Sequence, residues 1–235
     1  MISNEWFTTG PEKFKFFAVI LFIIFSLIIS NHAHRKNLFA PDEIRRLVHA
    51  TVGLIMSFST IIFSSKFPPL FLAIIFIFFN MIAFKSKVLS GIHSQKRKSY
   101  GTIYFPLSYL IVSCLFWEKN EFVILSFLIL AISDPLAAQI GSKKNSIWKF
   151  KVWHDYKTIN GTIAFFTSSI LILIIGNIFI LEYKLIDFII FVIITSIFAT
   201  ISEITSKKGT DNLSIPIISI LIMVGLNDQL SIHQD

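Results

Sequence analysis

Long apolar runs separated by short polar stretches set the pattern of this chain. The runs are continuously apolar instead of alternating with polar residues, which favours helices over the strands of a membrane β-barrel. A helix needs about 20 residues to cross the hydrocarbon core of a bilayer, and about 17 is a practical minimum. Eight runs can be delimited: 14–30, 47–65, 67–84, 103–117, 122–140, 159–181, 185–201 and 213–226. The fourth and the eighth are short, so the pattern predicts an all-α, polytopic integral membrane protein with seven or eight transmembrane helices.

The composition agrees with a chain embedded in lipid. Hydrophobic residues make up 54% of the chain, charged residues make up 15%, and the mean hydropathy is +0.73. Soluble domains carry about 25% charged residues, so a soluble α/β domain, a β-sandwich and a secreted disulfide scaffold are disfavoured. The single cysteine, Cys114, can form neither an internal disulfide nor a cysteine-based zinc site. Because no Gly/Ser-rich or Pro-rich linker divides the chain, we expect one membrane-embedded domain over residues 1–235.

The distribution of basic residues predicts the orientation. If the loops after the first, third, fifth and seventh runs face one side, that side carries 16 of the 21 Lys and Arg residues. Cytoplasmic loops of membrane proteins carry the excess of Lys and Arg. We therefore expect these four loops in the cytoplasm and both chain ends on the other side.

Four polar segments lie in these predicted cytoplasmic loops or in the adjoining helix ends. The first, DEIRRLVH at 42–49, puts Arg45 and His49 four residues apart on one helix face. The second, KRKSYGTIYFP at 96–106, is a basic cluster followed by a glycine turn and Tyr104. Taken alone, the first could be a basic helix end that contacts lipid headgroups, and the second could be a signal for membrane topology.

The third segment carries the strongest signal. Asp134 lies inside an apolar helix, where an ionisable residue is costly and is a functional-site candidate by default. Asp134 and Gly141 share a helix face, and KTINGT at 157–162 begins the next helix with Lys157 and Gly161. Free N–H groups, a hydroxyl and an ammonium at a helix start suit a phosphate. The structural alternatives are a helix–helix contact through small residues and an ordinary cap at Thr158.

The fourth segment, 203–216, contains Glu203, Asp211 and Asn212. Glu203 could simply pair with Lys207 four residues later, and Asp211 or Asn212 could simply cap the last helix. Together the four segments put carboxylates, lysines, hydroxyls and a glycine-containing helix start on one side of the membrane. Such a set suits a Mg²⁺–polyphosphate, because Mg²⁺ prefers one or two carboxylates plus phosphate oxygens. The chain has no Walker A sequence and no protein-kinase signature.

The chain resembles the family of CTP-dependent lipid kinases that includes dolichol kinase, phytol kinase and the CTP-using diacylglycerol kinase. The resemblance covers roughly residues 40–225. It rests on five motifs that occur in the same order: EIRRLVH at 43–49, YGTIYFPL at 100–107, DPLA at 134–137 with Gly141, KT at 157–158 with GT at 161–162, and Glu203 with GTDNLSIP at 209–216.

The third and fourth motifs, at Asp134 and at Lys157-Thr158, are also similar to bacterial phosphatidate cytidylyltransferases, which use CTP as well. Those enzymes end in a His-Gly-Gly segment followed by Asp-Arg-x-Asp, whereas DNL at 211–213 looks like the kinase branch. The kinase family usually has a glutamate where this chain has Asn160. It also usually has a second glycine shortly after Gly141, where this chain continues with SKKN. Asn160 can coordinate or donate a hydrogen bond but cannot accept a proton at neutral pH.

The resemblance implies a kinase that moves the γ-phosphoryl of CTP onto a membrane lipid alcohol, with Mg²⁺ as cofactor and no nucleic acid among its partners. The acceptor would be a polyprenol such as dolichol, phytol or a diacylglycerol, and the active site would face the cytoplasm. Asp134 and Asp211 would bind Mg²⁺, while Lys157 would bind phosphate and Glu203 would support the reaction or act as the base.

The resemblance also implies a wider set of binding residues. Those contacting the nucleotide would be Gly141, Lys143, Lys144, Lys157, Thr158, Asn160, Gly161 and Asn212. Those near the substrate or the membrane interface would be Arg45, His49 and Tyr104. A cytidylyltransferase that makes CDP-diacylglycerol, and a transporter or non-catalytic membrane protein on the same scaffold, are the alternative functions.

Overall fold

The computed structural model describes residues 10–86, 99–143, 148–153, 155–181 and 183–232. Nearly all of this part of the chain is helical. The elements are α1 (Gly10–Arg35), α2 (Pro41–Ser57), α3 (Ser59–Ile62), α4 (Phe67–Ser86), α5 (Gly101–Phe116), α6 (Asn120–Leu128), α7 (Asp134–Gly141), β1 (Lys149–Val152), β2 (Asp155–Thr158), α8 (Ile159–Gly176), α9 (Leu185–Thr205) and α10 (Asp211–Ile232). Two π-helical segments, Ile129–Ser133 and Asn177–Leu181, continue α6 into α7 and extend α8.

Five of the described helices are long and apolar enough to cross a membrane: Gly10–Arg35, Asn120–Gly141, Ile159–Leu181, Leu185–Thr205 and Asp211–Leu230. Two shorter apolar helices, Phe67–Ala83 and Gly101–Phe116, accompany them. The all-α, polytopic membrane fold predicted from the sequence is confirmed.

The rod formed by α6, the π-helical segment and α7 is the centre of the bundle. The run from Phe122 to Phe127 is buried on every side, and Ile129 and Leu130 are fully buried. The continuously apolar sequence of this rod allows all of its faces to be buried, unlike an amphipathic surface helix. Helices α2, α8 and α10 pack around it.

The outermost helix is α1, which packs against α2 and leaves most of its apolar side chains exposed. Phe14 is 76% exposed and Phe25 is 60% exposed. An apolar face of this size is typical of a surface that contacts lipid. The helix therefore lies at the side of the bundle, with its exposed apolar face directed away from α2.

Three features differ from the pattern read in the sequence. The second apolar run does not form one helix, because the helix is interrupted at Phe58 between α2 and α3. The eighth run is not short, since α10 begins at Asp211 and continues to Ile232. A two-stranded antiparallel hairpin, β1–β2, occupies part of a loop for which no element was predicted.

Proline explains the irregular backbone of the central rod. Pro135 has no N–H, and in the i→i+5 bonding of a π-helix its nitrogen would be the partner of the Leu130 carbonyl. That carbonyl consequently lacks its helical partner, and the His49 ring from α2 lies near it. The π-helical segment thus ties α2 to the central rod immediately before Asp134.

Candidate functional site

The four polar segments of the sequence meet at one end of the bundle. The carboxyl group of Asp134, on the first residue of α7, lies within electrostatic range of Asp211, Lys157, Glu203 and Arg45. These four residues come from the start of α10, from β2, from the end of α9 and from α2. The structure therefore brings charged groups that are up to 166 positions apart in the chain into one cluster.

Asp134 has a histidine beside it. The Nε2 atom of His49 lies 3.9 Å from Asp134 Oδ2, and the two side chains are 17% and 22% exposed. The His49 ring also contacts Phe105 of α5 edge-to-face, with 5.5 Å between the ring centroids. Within the described residues His49 Nε2 is buried and has no hydrogen-bond partner. One face of Asp134 is therefore lined by an imidazole that is free to bond at this nitrogen.

Lys157 and Glu203 form an ion pair. Lys157 Nζ donates both to the Glu203 carboxylate and to the Glu203 backbone carbonyl, the latter at 2.9 Å. The side chains are 20% and 7% exposed, so the pair is largely removed from solvent. The sequence alternative, in which Glu203 pairs with Lys207, is not the arrangement observed. Lys207 Nζ instead lies 4.6 Å from the centroid of the Trp153 ring.

The start of α8 is tightly packed against α7. Thr158 is the N-cap residue, and its Oγ1 accepts the Gly161 N–H at 3.2 Å. A Cβ added to Gly141 would lie 2.7 Å from Thr158 Oγ1, and one added to Gly161 would lie 3.0 Å from the Ala137 carbonyl oxygen. Both structural alternatives considered for this segment, the cap and the small-residue contact, are therefore present. The hydroxyl of Thr158 and the N–H of Gly161 bond to each other in this structure.

The loop before α10 is fixed by a close contact between its one glycine, Gly209, and the start of α5. Gly209 has φ +90°, and a Cβ on it would lie 2.4 Å from the Gly101 nitrogen at the start of α5. The adjoining Tyr100 N–H donates to the Lys208 carbonyl at 2.9 Å. Only glycine tolerates both this backbone conformation and this close approach. The loop thereby packs the starts of α5 and α10 together.

Asp211 and Asn212 form a small oxygen-rich group at the start of α10. Asp211 Oδ1 accepts the Asn212 side-chain amide at 2.8 Å and the Asn212 backbone N–H at 2.9 Å. Within the described residues, Asp211 Oδ2 makes no hydrogen bond, and Asn212 Oδ1 is buried without a partner. Two oxygen atoms are thus available to a ligand from neighbouring side chains.

The remaining candidate residues are less central. Lys143 is exposed just after the end of α7, and Lys144 lies outside the described residues. Asn160 is half-buried in the first turn of α8. Tyr104 is half-buried and lies near Tyr100, with 6.1 Å between the ring centroids.

Sequence reasoning missed the contribution of the hairpin. The indole nitrogen of Trp153, in the hairpin turn, donates to the Thr205 carbonyl at 3.0 Å, and no pattern in the sequence indicated this contact. The register pairs Phe150 with Lys157, which fixes the face of the hairpin on which Lys157 lies. The only available signal was the aromatic and basic composition of residues 148–157.

No described group of three or more His, Cys, Asp and Glu side chains could hold a metal ion by itself. The available donors are the Asp134 and Asp211 carboxylates with the Asn212 Oδ1 atom. These are hard oxygen donors, and Mg²⁺ usually combines one or two carboxylates with water and substrate phosphates. The donor set fits Mg²⁺ that arrives with a polyphosphate.

The chain is similar to several known proteins. It is 31% identical over 137 residues to an uncharacterized protein of Methanocaldococcus jannaschii, and the match covers 55% of this chain and 69% of that protein. The chain belongs to the same family as this archaeal protein. The chain is also similar to an uncharacterized protein of Rickettsia prowazekii, with 41% identity over 119 residues. The match covers 50% of this chain and 53% of that protein.

A functionally named relative is the phytol kinase of Synechocystis, which is 27% identical over 150 residues. The match covers 60% of this chain and 61% of the phytol kinase, so the chain spans less than two thirds of this relative and of the Rickettsia protein. No family model matches the chain. No solved structure matches it either.

Proposed function

We propose that this protein is a membrane kinase that transfers the γ-phosphoryl group of CTP to a lipid alcohol. The observation that carries the proposal is the cluster of Asp134, Asp211, Lys157 and Glu203 at one end of an apolar helical bundle. The distant similarity to a phytol kinase supports the lipid-kinase class. A lipid substrate would reach the site from the bilayer, and the nucleotide would reach it from water.

Asp134, Asp211 and Asn212 would hold Mg²⁺ on the nucleotide phosphates. The ion would neutralise charge on the β- and γ-phosphates, which is the main requirement of phosphoryl transfer. Asp134 and Asp211 lie within electrostatic range of each other, so their charges repel unless a cation or a proton is shared. Cation binding with the nucleotide would remove this repulsion.

Lys157 would bind the phosphates, and Glu203 would orient it. A lysine ammonium has three donors, and two of them are used on Glu203 in this structure. The third donor can bind a phosphate oxygen without breaking the pair. Lys143 and Lys144 would add positive charge around the triphosphate.

The acceptor alcohol would lie on the side of the cluster lined by His49, Arg45 and Tyr104. The alcohol oxygen forms a bond to the γ-phosphorus as the bond from that phosphorus to the CDP oxygen breaks, and the alcohol proton passes to a base. Glu203 is the candidate base because its Oε2 atom is buried and has no hydrogen-bond partner in the described part of the chain. His49, which touches Asp134, would help to orient the acceptor.

The decisive experiment identifies the product. The purified protein is incubated with Mg²⁺, CTP labelled at the γ-phosphate and a panel of phytol, polyprenol, diacylglycerol and phosphatidate, and the lipids are analysed by mass spectrometry. We expect a labelled lipid monophosphate and CDP. A CDP-lipid formed from phosphatidate would instead show the cytidylyltransferase function, and no nucleotide consumption with any acceptor would contradict both enzyme assignments.

A further inference from the structure

The β1–β2 hairpin is attached to the end of α9 at two levels. At its turn, the Trp153 indole N–H donates to the Thr205 carbonyl at 3.0 Å. At its base, Lys157 donates to the Glu203 carbonyl and carboxylate. Lys207, which follows α9, lies over the Trp153 ring. The two attachments are four residues apart in the hairpin and two residues apart in α9.

These contacts supply side-chain donors to two carbonyls at the end of α9. The last four carbonyls of a helix have no partner within the helix, and a positive charge is favoured there by the helix dipole. In α9 the Ser202 carbonyl accepts the Ser206 hydroxyl, and the Glu203 carbonyl accepts the Ser206 N–H at 3.2 Å. The hairpin supplies a second donor to the Glu203 carbonyl and a side-chain donor to the Thr205 carbonyl. The hairpin therefore acts as the cap of α9, and Trp153 is the part of this cap farthest from the charged cluster.

We propose that Trp153 is a positioning residue for Lys157, an inference that rests on the phosphate-binding role proposed above for Lys157. Its indole bond to Thr205 fixes the turn of the hairpin against α9, and the ladder between β1 and β2 transmits this constraint to Lys157. Trp153 has φ +56°, a backbone conformation that is uncommon for a bulky residue. Without the indole bond, Lys157 would sample positions away from Glu203.

Trp148 provides a matched control on the same hairpin. It also has a positive φ, +53°, and it is 74% exposed, compared with 59% for Trp153. Its indole makes no hydrogen bond to any residue that the structure describes. An exposed tryptophan that served only as a membrane-interface anchor would be expected to behave alike at both positions. The hydrogen bond is what distinguishes them.

The first test measures the position of Lys157 and does not depend on enzyme activity. The full-length protein in detergent micelles is treated with a limiting amine-acetylating reagent, and acetylation of each lysine is quantified by mass spectrometry. We expect Trp153→Phe to raise the labelling rate of Lys157 several-fold and Trp148→Phe to leave it unchanged. Unchanged labelling in Trp153→Phe overturns the proposal.

Two further measurements guard against general unfolding. Labelling of Lys119, at the opposite end of the bundle, should be the same in every variant. Lys207→Met removes the cation from the Trp153 ring but retains the indole bond, so it should leave Lys157 labelling close to that of the wild type. If Trp153→Phe unfolds the protein, the same measurement is made on Trp153→Met, which also lacks the indole donor, and unchanged Lys157 labelling in that folded variant contradicts the proposal.

The second test links the position of Lys157 to nucleotide binding. Losing one hydrogen bond should raise the KM for CTP about 2- to 10-fold in Trp153→Phe, while kcat stays within about 2-fold. Trp148→Phe should change neither constant. A fall in kcat with no change in KM overturns the proposed role of Trp153. If the wild-type protein phosphorylates no lipid alcohol, the proposed function fails, and the labelling experiment still decides whether Trp153 positions Lys157.

Discussion

At the scale of single residues, the candidate site depends on charges that are held in pairs. Lys157 and Glu203 are both mostly buried, and each neutralises the other. Removing one partner of a buried pair leaves an uncompensated charge, which is costly to the fold as well as to function. Variants that keep the shape of the side chain avoid the additional cavity that truncation to alanine leaves, but they also unpair the partner, so their folding is measured beside their activity.

The carboxylates Asp134 and Asp211 give the first prediction. Asp134→Asn and Asp211→Asn each keep the shape of the side chain and remove the charge that would bind Mg²⁺. Each should lower kcat with CTP and a lipid alcohol by about 100-fold or more, because charge neutralisation dominates phosphoryl transfer. The measurement is initial rate at saturating CTP over a series of Mg²⁺ concentrations.

Asp228→Asn is the matched control for this pair. Asp228 lies near the other end of α10, its side chain is 62% exposed, and its carboxylate is 3.8 Å from Lys119 Nζ. We expect wild-type turnover from this variant. A folded Asp134→Asn or Asp211→Asn protein with more than half of the wild-type turnover would rule out its assignment as a metal ligand.

Asn160 and Glu203 give the second prediction, because Asn160 stands where the lipid kinase family that the sequence resembles usually has a glutamate. Glu203→Gln should reduce turnover severely, since it removes both the charge that orients Lys157 and the candidate base. Asn160→Ala should have a milder effect, and Asn160→Glu should be tolerated or should raise turnover. All three variants are compared with the wild type under the same CTP and lipid conditions.

The outcome for Asn160→Glu separates two states of the natural protein. Turnover in the wild type and in Asn160→Glu supports an active enzyme in which Glu203 carries the role of the family glutamate. Turnover in Asn160→Glu alone would identify the natural sequence as an inactive relative. The proposed kinase function would then be wrong for this protein.

At the scale of elements, the contact between α7 and α8 sets the spacing of the site. Gly141 and Gly161 allow the two helices to approach until a Cβ on Gly141 would lie 2.7 Å from Thr158 Oγ1. This contact places Thr158, which follows Lys157, directly against α7, which begins with Asp134. The distance between Asp134, the proposed metal ligand, and Lys157, the proposed phosphate ligand, therefore depends on Gly141 and Gly161.

The third prediction tests this spacing. Gly141→Ala should push Thr158 and α8 away from α7 and destabilise the fold by about 1–3 kcal/mol, the usual cost of overpacking. Gly225→Ala is the control, because a Cβ there meets nothing within 4 Å. In a helix interior alanine is favoured over glycine by up to about 1 kcal/mol, so this control should be neutral or stabilising. Thermal unfolding in detergent, followed by circular dichroism, measures both, and equal midpoints would contradict the packing argument.

The elements show what the sequence can and cannot predict. The helices follow from continuous apolar runs, and Asp134 stood out because an ionisable residue in such a run is costly. The hairpin could not be predicted, because KFKV and DYKT are short, mainly polar strands that are stabilised by their attachment to α9. The π-helical segment has a local cause in Pro135, but the packing of α2 against that segment is a tertiary contact, which no local pattern encodes.

The candidate site was predictable as a set of segments but not as a set of contacts. The order and polarity of the motifs indicated that Asp134, Lys157, Glu203 and Asp211 would lie at one end of the protein. Their pairing did not follow, because Glu203 has one lysine four residues away in its own segment and another across the fold. Burial decides between them, since Lys157 is 20% exposed beside Glu203, whereas Lys207 lies on an exposed tryptophan.

At the scale of the whole molecule, the two ends of the bundle differ in how their charges are used. At the end opposite the candidate site, Glu12 accepts hydrogen bonds from Lys15 and Ser64. There, too, Lys119 lies near Asp228. Each of these contacts involves two or three side chains, from one helix or from elements that lie next to each other in the bundle. The end that carries the candidate site instead combines residues from six elements around Asp134 and its neighbours.

The fourth prediction is the orientation of these two ends in the membrane. In the sequence, the loops after the first, third, fifth and seventh apolar runs contain 16 of the 21 basic residues, and the segments of the candidate site belong to these loops or adjoin them, so this end should face the cytoplasm, where CTP is available. In a Cys114→Ser background, single cysteines at Ser142 and Leu38 report on this end, and cysteines at Asn120 and Leu185 report on the other; all four positions are exposed. A membrane-impermeant maleimide should label the second pair in intact cells and the first pair only after the membrane is opened. Labelling at position 142 in intact cells would reverse the orientation and would remove the source of nucleotide on which the kinase proposal depends.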